Sequence, residues 1–173
     1  MTRSAFLPFS IRLETRADLA AIAELHRAAF AGNPHSDGSE PAIVDRLRAR
    51  GRLALSLVAA APDGSVLGHC AFSPVVVDGA DVGWMGLGPL GVLPAAQEQG
   101  VGTALVEAGL ARLRANGVPG CVVLGDPDYY RRFGFERDTR LRYPGAPPEY
   151  FMAVLLLGER VPAGVVRYDD AFG

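Results

Sequence analysis

Two glycines stand in the first turn of the most clearly patterned helix of the chain. The stretch 91–110, GVLPAAQEQGVGTALVEAGL, begins as an apolar strand and ends as an amphipathic helix, with Gly100 and Gly102 at the junction. A glycine weakens a helix by roughly 1 kcal/mol relative to alanine. Their position predicts that a ligand approaches the backbone very closely where this helix begins.

The start of a helix is a natural site for phosphate groups. It presents unpaired backbone N–H groups and the positive end of the helix dipole. Glycines leave these N–H groups uncovered, and a threonine hydroxyl adds a further donor. We therefore expect a pyrophosphate to bind along the loop formed by Gln97, Glu98, Gln99, Gly100, Val101, Gly102 and Thr103.

Two common phosphate-binding motifs do not fit this loop. A mononucleotide P-loop needs a lysine after its second glycine, where this chain has Thr103. A Rossmann fingerprint needs a third glycine and opens a series of parallel strands. Here the preceding strand ends an antiparallel meander and contains Gly86, Gly88, Pro89 and Gly91.

Glycine and proline inside a strand indicate a bulge or a close backbone approach, so the strand is expected to open a wedge. A narrow ligand with a pyrophosphate, coenzyme A, suits both features.

The remaining patterns predict a mixed α/β fold around one central sheet. The apolar runs, Asp78-Gly79 hairpin and helical spacings separate the elements clearly. Thr15, with Asp18 three residues later, and Ser39 are the expected caps of the first two helices. The predicted strands span 10–14, 54–60, 66–77, 82–92, 120–124 and 151–157, with a helix over 101–116 and a helical turn over 128–133.

Composition narrows the class of protein. The chain has 173 residues, 49% of them hydrophobic, and a net charge of −2. This predicts a single domain over residues 1–173, with a carboxy-terminal tail from about 158, and no nucleic-acid or membrane partner. The longest apolar run, 151–157, is far shorter than the ~20 residues of a membrane span. No secretory leader is evident, so the expected location is cytoplasmic. Cys70 and Cys121 are isolated, which predicts buried thiols and no metal site.

Two motifs in order resemble a known enzyme family. Gln97, Gly100 and Gly102 match the motif Q/R-x-x-G-x-G/A, and YYRRFGF at 129–135 matches a second motif about 30 residues later. With the strand before them, they make the chain similar to the GCN-five-related N-acetyltransferases, the GNAT superfamily. The region from LGPLGVLP to the second motif further resembles the YhbS-type branch of bacterial acetyltransferases. The resemblance extends from about residue 11 to residue 157.

The resemblance implies a GNAT fold, a central mixed and mostly antiparallel sheet that is splayed between strands 4 and 5 and flanked by helices. Acetyl-CoA would lie in the gap, its pantetheine arm pairing with the backbone of Leu90, Gly91 and Val92. Tyr130 would protonate the departing thiolate. The implied reaction transfers acetyl to a small-molecule or peptide amine by direct attack in a ternary complex, without a metal. GNAT proteins are often dimers, so a homodimer is left open.

The chain departs from the commonest family pattern in two places. Many relatives carry a glutamate on the fourth strand as general base, but residues 82–92 contain no carboxylate. Many also carry an asparagine where this chain has Val123. Two alternatives therefore stay open: a CoA-binding sensor with little turnover, and a transferase of a longer acyl group. Asp126 either accepts a proton or caps the following turn.

Other polar and aromatic residues are interpreted more simply. His26 and His69 lie in apolar patterns typical of structural histidines, whereas His35 lies in the loop 32–39, which the resemblance places over the acceptor site. Tyr129 is expected to pack or to contact CoA. Trp84 either walls the acceptor pocket or packs against a helix.

Overall fold

The computed structural model describes residues 8–173 and has eight strands and four α-helices in that range, together with short 3-10 turns. The strands are β1 (Ser10–Leu13), β2 (Leu55–Ala60), β3 (Val66–Val77), β4 (Ala80–Val92), β5 (Gly120–Leu124), β6 (Leu141–Arg142), β7 (Phe151–Leu155) and β8 (Gly164–Arg167). The helices are α1 (Leu19–Phe30), α2 (Glu40–Ala49), α3 (Val101–Ala115) and α4 (Pro127–Tyr130). Over this described range, none of the helices is long and apolar enough to cross a membrane.

The strands form a mixed, mostly antiparallel sheet in the order β1-β2-β3-β4-β5-β7. β4 pairs in parallel with β5 only over Met85–Leu87, opposite Cys121–Val123. Beyond this point β4 continues to Val92 while it stays paired with β3 on its other edge. The two central strands therefore part after Leu87. The predicted mixed α/β fold, splayed between strands 4 and 5, is confirmed.

α3 packs on one face of the sheet through a closely fitted apolar layer. A Cβ on Gly109 would clash with the Phe72 ring, and one on Gly68 would lie 2.8 Å from the Val101 side chain. These glycines let helix and strand approach each other. Cys70 and Cys121 lie fully buried in the same layer as free thiols, as expected. Burial raises the pKa of both thiols.

α1 and α2 cover the opposite face. Asp18 accepts a hydrogen bond from the backbone N–H of Thr15 at 2.7 Å, which confirms the predicted start of the first helical segment. Its ion pair with Arg12 lowers the pKa of Asp18 to about 2. Ser39 stands at the amino-terminal cap of α2 as predicted, but its side chain makes no capping bond.

The last part of the chain differs from the sequence-based prediction. The strand expected over 151–157 ends at Leu155, and the segment expected to be a carboxy-terminal tail contributes β8, which pairs with β3 and β6. A salt bridge of 2.9 Å between Arg50 and Asp169 and the bonds from Arg46 to the Ala171 carbonyl hold this segment on α2. The tail therefore packs on its own chain.

Candidate active site

A cleft of about 500 Å³ lies between the free part of β4 and the start of α3. This volume is typical of small-molecule sites. Nine of the ten residues predicted to bind the cofactor line it: Leu90, Gly91, Val92, Gln97, Glu98, Gly100, Val101, Gly102 and Thr103. The tenth, Gln99, is not in the lining, and its side-chain amide donates to the carbonyl of Ala95 at 3.4 Å. Ala29, Phe30, Ala96, Tyr129 and Arg132 complete the wall.

The first glycine of the loop is required by the backbone. Gly100 is the amino-terminal cap of α3 and has φ of 82°, a left-handed conformation that glycine adopts without strain. Its carbonyl accepts the first helical bond, from Ala104 at 3.0 Å. The N–H groups before Ala104 have no partner within the helix. Since residues 100–103 line the cleft, these donors lie at its wall.

The second glycine makes room for a neighbouring aromatic ring. A Cβ on Gly102 would lie 2.8 Å from the hydroxyl of Tyr129. The Arg132 guanidinium lies over the same ring, 4.6 Å from its centroid, and its Nε donates to the Tyr129 carbonyl at 2.9 Å. Tyr129 and Arg132 thus bring an aromatic surface and a cation to the glycine-rich end of the cleft.

The β4 side of the cleft is a strand edge. Leu90 and Val92 are held by β3 on one side, opposite Cys70 and Gly68, while the parallel pairing with β5 has already ended. Gln97 folds back so that its side-chain amide donates to the Val92 carbonyl at 3.2 Å. Gln97 therefore fixes the loop to the strand. The bulge predicted from glycine and proline is present as a register shift in this part of the β3–β4 pairing.

Tyr130 lies where the wedge begins. The Asp126 side chain accepts a hydrogen bond from the backbone N–H of Asp128 at 2.9 Å. Of the two roles considered for Asp126, proton acceptor and helix cap, the structure therefore shows the cap, at the start of α4. The Tyr130 ring lies against Gly125, where a Cβ would be 2.5 Å from its Cε2. Gly125 follows the last residue of β5. Burial raises the pKa of Tyr130, so its hydroxyl stays protonated. The cleft lining includes Tyr129 but not Tyr130.

Two histidines form a buried chain beneath the free part of β4. Ser56 Oγ lies 2.7 Å from His69 Nε2, and His69 Nδ1 lies 2.8 Å from His26 Nε2. Both histidines have no exposed surface. The other nitrogen of His26, Nδ1, has no hydrogen-bond partner and lies beside Gly91, where a Cβ would be 2.8 Å away. The His26 ring therefore fills the space beside Gly91. Both histidines are buried, as predicted for structural residues.

The pKa values of these histidines are strongly displaced. Burial lowers the pKa of His26 to about 4. Burial also lowers the pKa of His69 well below its usual value, with smaller contributions in the same direction from His26 and Arg48. Both rings are therefore neutral near pH 7. His35 is exposed in the loop before α2 and does not line this cleft.

Sequence reasoning missed three wall residues, Ala29 and Phe30 at the end of α1 and Ala96 before the glycine-rich loop. All three are apolar, so nothing in their local pattern distinguishes them from core residues. Trp84 is 2% exposed and packs over Gly120, so it is a core residue away from this cleft. In the part of the chain that the structure describes, no three His, Cys, Asp or Glu side chains are grouped to hold a metal ion.

A cleft that joins a free strand edge to a glycine-rich helix start fits the class expected from the sequence, the acyl-CoA-dependent transferases. The model of the Acetyltransferase (GNAT) family matches residues 19–135. The chain belongs to this family, which confirms both the resemblance and the predicted enzyme class, an acetyltransferase.

Relatives match over almost the whole chain. The uncharacterized N-acetyltransferase YhbS of Escherichia coli strain K12 is 42% identical over 168 residues, covering 94% of this chain and 97% of the relative. A crystal structure of YhbS from Escherichia coli in complex with CoA has a TM-score of 0.88 at 37% identity, covering 99% of this chain and 95% of the other. A GNAT family acetyltransferase from Brucella melitensis in complex with acetyl-CoA has a TM-score of 0.86 at 47% identity, covering 96% and 99%.

Proposed function

We propose that this protein acetylates an amine directly from acetyl-CoA, with both substrates bound together, in the cytoplasm. The observation that carries the proposal is the wedge in which the edge of β4 over Leu90–Val92, which β5 no longer pairs with, leads to the α3 start. A strand edge offers backbone donors and acceptors to an extended chain. A helix start offers N–H groups to phosphates. The two surfaces meet in one cleft in the order that coenzyme A requires.

Each part of the cleft has a distinct binding task in this proposal. The N–H groups of residues 100–103 donate to the pyrophosphate, and Arg132 adds a cation at the same end. The free edge of Leu90–Val92 pairs with the pantetheine arm as a further strand would. Acetyl-CoA is the acyl donor, and the chemistry that it supplies is an activated thioester. The bound forms in the Brucella melitensis and Escherichia coli structures support this assignment.

The residues around the wedge suit direct transfer. A backbone N–H of β4 can polarise the acyl carbonyl, which is the usual device for acyl transfer. The protonated hydroxyl of Tyr130 can donate to the leaving sulfur. Cys70 and Cys121 are fully buried thiols with raised pKa values, so neither is suited to carry the acyl group. Positioning and donated hydrogen bonds then account for catalysis.

Thiol release tests the proposal. Purified protein with acetyl-CoA should release free CoA thiol only when a suitable amine is present, and product mass should increase by one acetyl group. Calorimetry should show CoA binding without an amine. CoA binding without thiol release for any amine would favour the sensor. Release only with longer acyl-CoA would favour the other alternative.

Tyr130→Phe is expected to lower kcat by about a hundredfold and to leave acetyl-CoA affinity unchanged. General acid catalysis is worth ~10²–10⁴-fold, and a thiolate is a good leaving group, so the low end applies. Tyr150→Phe is the matched control, because Tyr150 is 45% exposed. A kcat within about threefold of wild type, with chemistry rate-limiting, would make Tyr130 structural.

The rate should increase with pH without a plateau near neutrality. An alkyl amine with a pKa near 10 has only ~0.1% neutral form at about pH 7, and β4 carries no carboxylate between residues 82 and 92. We expect kcat/KM to rise through about pH 8–9. Asp126 and Glu149 would act only as distant proton acceptors, so Asp126→Asn and Glu149→Gln should cost less than about tenfold each. Asparagine preserves the α4 cap. A plateau with an apparent pKa of about 6–7 that one of these variants, or His35→Ala, removes would reveal a dedicated base.

A further inference from the structure

A second cavity, of about 550 Å³, lies along the segment that joins α4 to β7. It shares no lining residue with the cleft beside α3. Its wall comes from residues 137–148 and from Phe151, the first residue of β7. It is large enough for a small molecule or a short peptide end, and the proposed binding of coenzyme A leaves it free.

This cavity adjoins the place where the wedge opens. Phe151 pairs in register with Leu124, the last residue of β5. The carbonyl of Tyr150 accepts a hydrogen bond of 2.9 Å from the N–H of Gly125, the residue against which the Tyr130 ring lies. The cavity is thus one strand away from the point at which β5 ends.

Two cations in the cavity wall lack an ion-pair partner. Arg140 binds Asp138 through two bonds, of 2.9 and 2.7 Å, so the charge of this wall carboxylate is balanced. This contact lowers the pKa of Asp138. Arg137 and Arg142 also line the cavity and form no salt bridge with any residue in the described range 8–173. In a chain with a net charge of −2, the cavity carries a local positive excess.

The floor of the cavity is apolar. The Tyr143 and Phe151 rings are stacked, with centroids 5.3 Å apart and planes 27° apart. Leu141 lies beside them and is 4% exposed. An aromatic floor beneath exposed guanidinium groups suits a molecule with a carbon chain and an anionic group.

We propose that the acyl acceptor is an anionic amine, whose carboxylate or phosphate group binds Arg137 and Arg142 while its carbon chain lies over Tyr143 and Phe151. This inference rests on the proposed acetyl transfer and names its substrate class. Arginine recognises carboxylate and phosphate through the same paired N–H donors. The two sources are therefore separated by experiment.

Matched pairs of amines test the charge requirement. One pair is 6-aminohexanoate and 6-aminohexanamide, and the other is O-phosphoethanolamine and ethanolamine. The charged member of at least one pair should have a kcat/KM about tenfold or more above its neutral partner, and the better pair identifies the anion. Equal or higher values for both neutral members would overturn the inference.

Two arginine variants test whether the preference for charged amines arises in this cavity. Arg137→Gln and Arg142→Gln should each lower kcat/KM for the charged amine by about fivefold or more, and should leave the neutral amine and the KM for acetyl-CoA unchanged. Arg27→Gln is the control, because its side chain is 62% exposed on α1 and pairs only with Glu24 among described residues. Undiminished preference for the charged amine in the Arg137→Gln, Arg142→Gln double variant would exclude this cavity.

A binding measurement separates failure of this inference from failure of acetyl transfer. Calorimetry of 6-aminohexanoate and of O-phosphoethanolamine with the CoA-saturated protein needs no turnover. Saturable binding of an anion, lost in the double variant, would support the anion site even if every amine failed to accept acetyl. Failure of both probes to bind, with acetyl transfer to neutral amines intact, would overturn the inference and leave the proposed function standing.

Discussion

Gly102→Asp is expected to weaken CoA binding by at least about a hundredfold, or roughly 2.7 kcal/mol. The new Cβ would lie 2.8 Å from the Tyr129 hydroxyl, so the aromatic wall must move. The new carboxylate would also stand among the N–H groups that we assign to the pyrophosphate, where two negative charges repel each other. Calorimetric titration of wild type and variant with CoA measures this effect directly.

The loss of CoA affinity in Gly102→Asp is not expected to come from unfolding of the protein. An aspartate in the first turn of a helix interacts favourably with the helix dipole, which partly offsets the loss of space beside Tyr129. The melting temperature of the variant should therefore change little. Gly102→Ala is the matched control, since it adds the Cβ without the charge and should cost less affinity. Unchanged CoA affinity in Gly102→Asp would rule out the α3 start as the pyrophosphate site.

Local signals made the CoA cleft predictable from sequence. Gly100 and Gly102 are separated by a single residue in the chain, and the strand that they follow carries its own glycines and proline. In the structure, glycine is needed at these two positions for different reasons. Gly100 has a left-handed φ, and Gly102 leaves room for Tyr129. The second reason depends on a residue 27 positions away, which no local pattern could reveal.

Long-range pairing explains what the sequence did not reveal. β8 spans only Gly164–Arg167, and it is a strand because it lies beside Val76 and Val77 of β3. The second cavity depends in the same way on the packing of Tyr143 against Phe151. In both cases the residues are unremarkable in their own neighbourhood, so only the folded chain shows their relation.

The histidine chain is a further case of side chains that meet only in the fold. His26 lies on α1 and His69 on β3, and a third polar group, Ser56, comes from β2. Their spacing along the chain gives no sign of the contact. Its consequence is measurable, because two buried neutral imidazoles make stability depend on pH in a range where few other groups titrate.

The free energy of unfolding is expected to fall steeply as the pH is lowered from about 7 to about 5, by roughly 2 kcal/mol for each buried histidine. In the unfolded chain a histidine gains a proton near its usual pKa of about 6.5. In the folded protein the pKa of His26 is lowered to about 4 and that of His69 lies well below its usual value. The unfolded state therefore binds more protons throughout this range, and stability is lost as the pH falls.

The contact between the two rings reinforces this effect. The 2.8 Å bond between His26 Nε2 and His69 Nδ1 holds one proton between two nitrogens. Full protonation of both rings would place a proton on each nitrogen and break the bond. The charged groups that act on His69 are Arg48 and, in the opposite direction, Asp18. The pKa of Asp18 is about 2, so this carboxylate keeps its charge across the measured range.

Urea unfolding at several pH values between about 7.5 and 5 measures the slope. His26→Gln removes one buried titrating ring, so the variant should lose about half of the wild-type slope, whatever its stability near neutral pH. His35→Gln is the control, because His35 is exposed and its backbone N–H, not its ring, donates to the Asn33 side chain. It should preserve the slope. If the free energy of unfolding of the wild type stays constant above about pH 5, the buried rings take up protons as readily as those of the unfolded protein. The conclusion that His69 and His26 are neutral beside Ser56 would then be wrong.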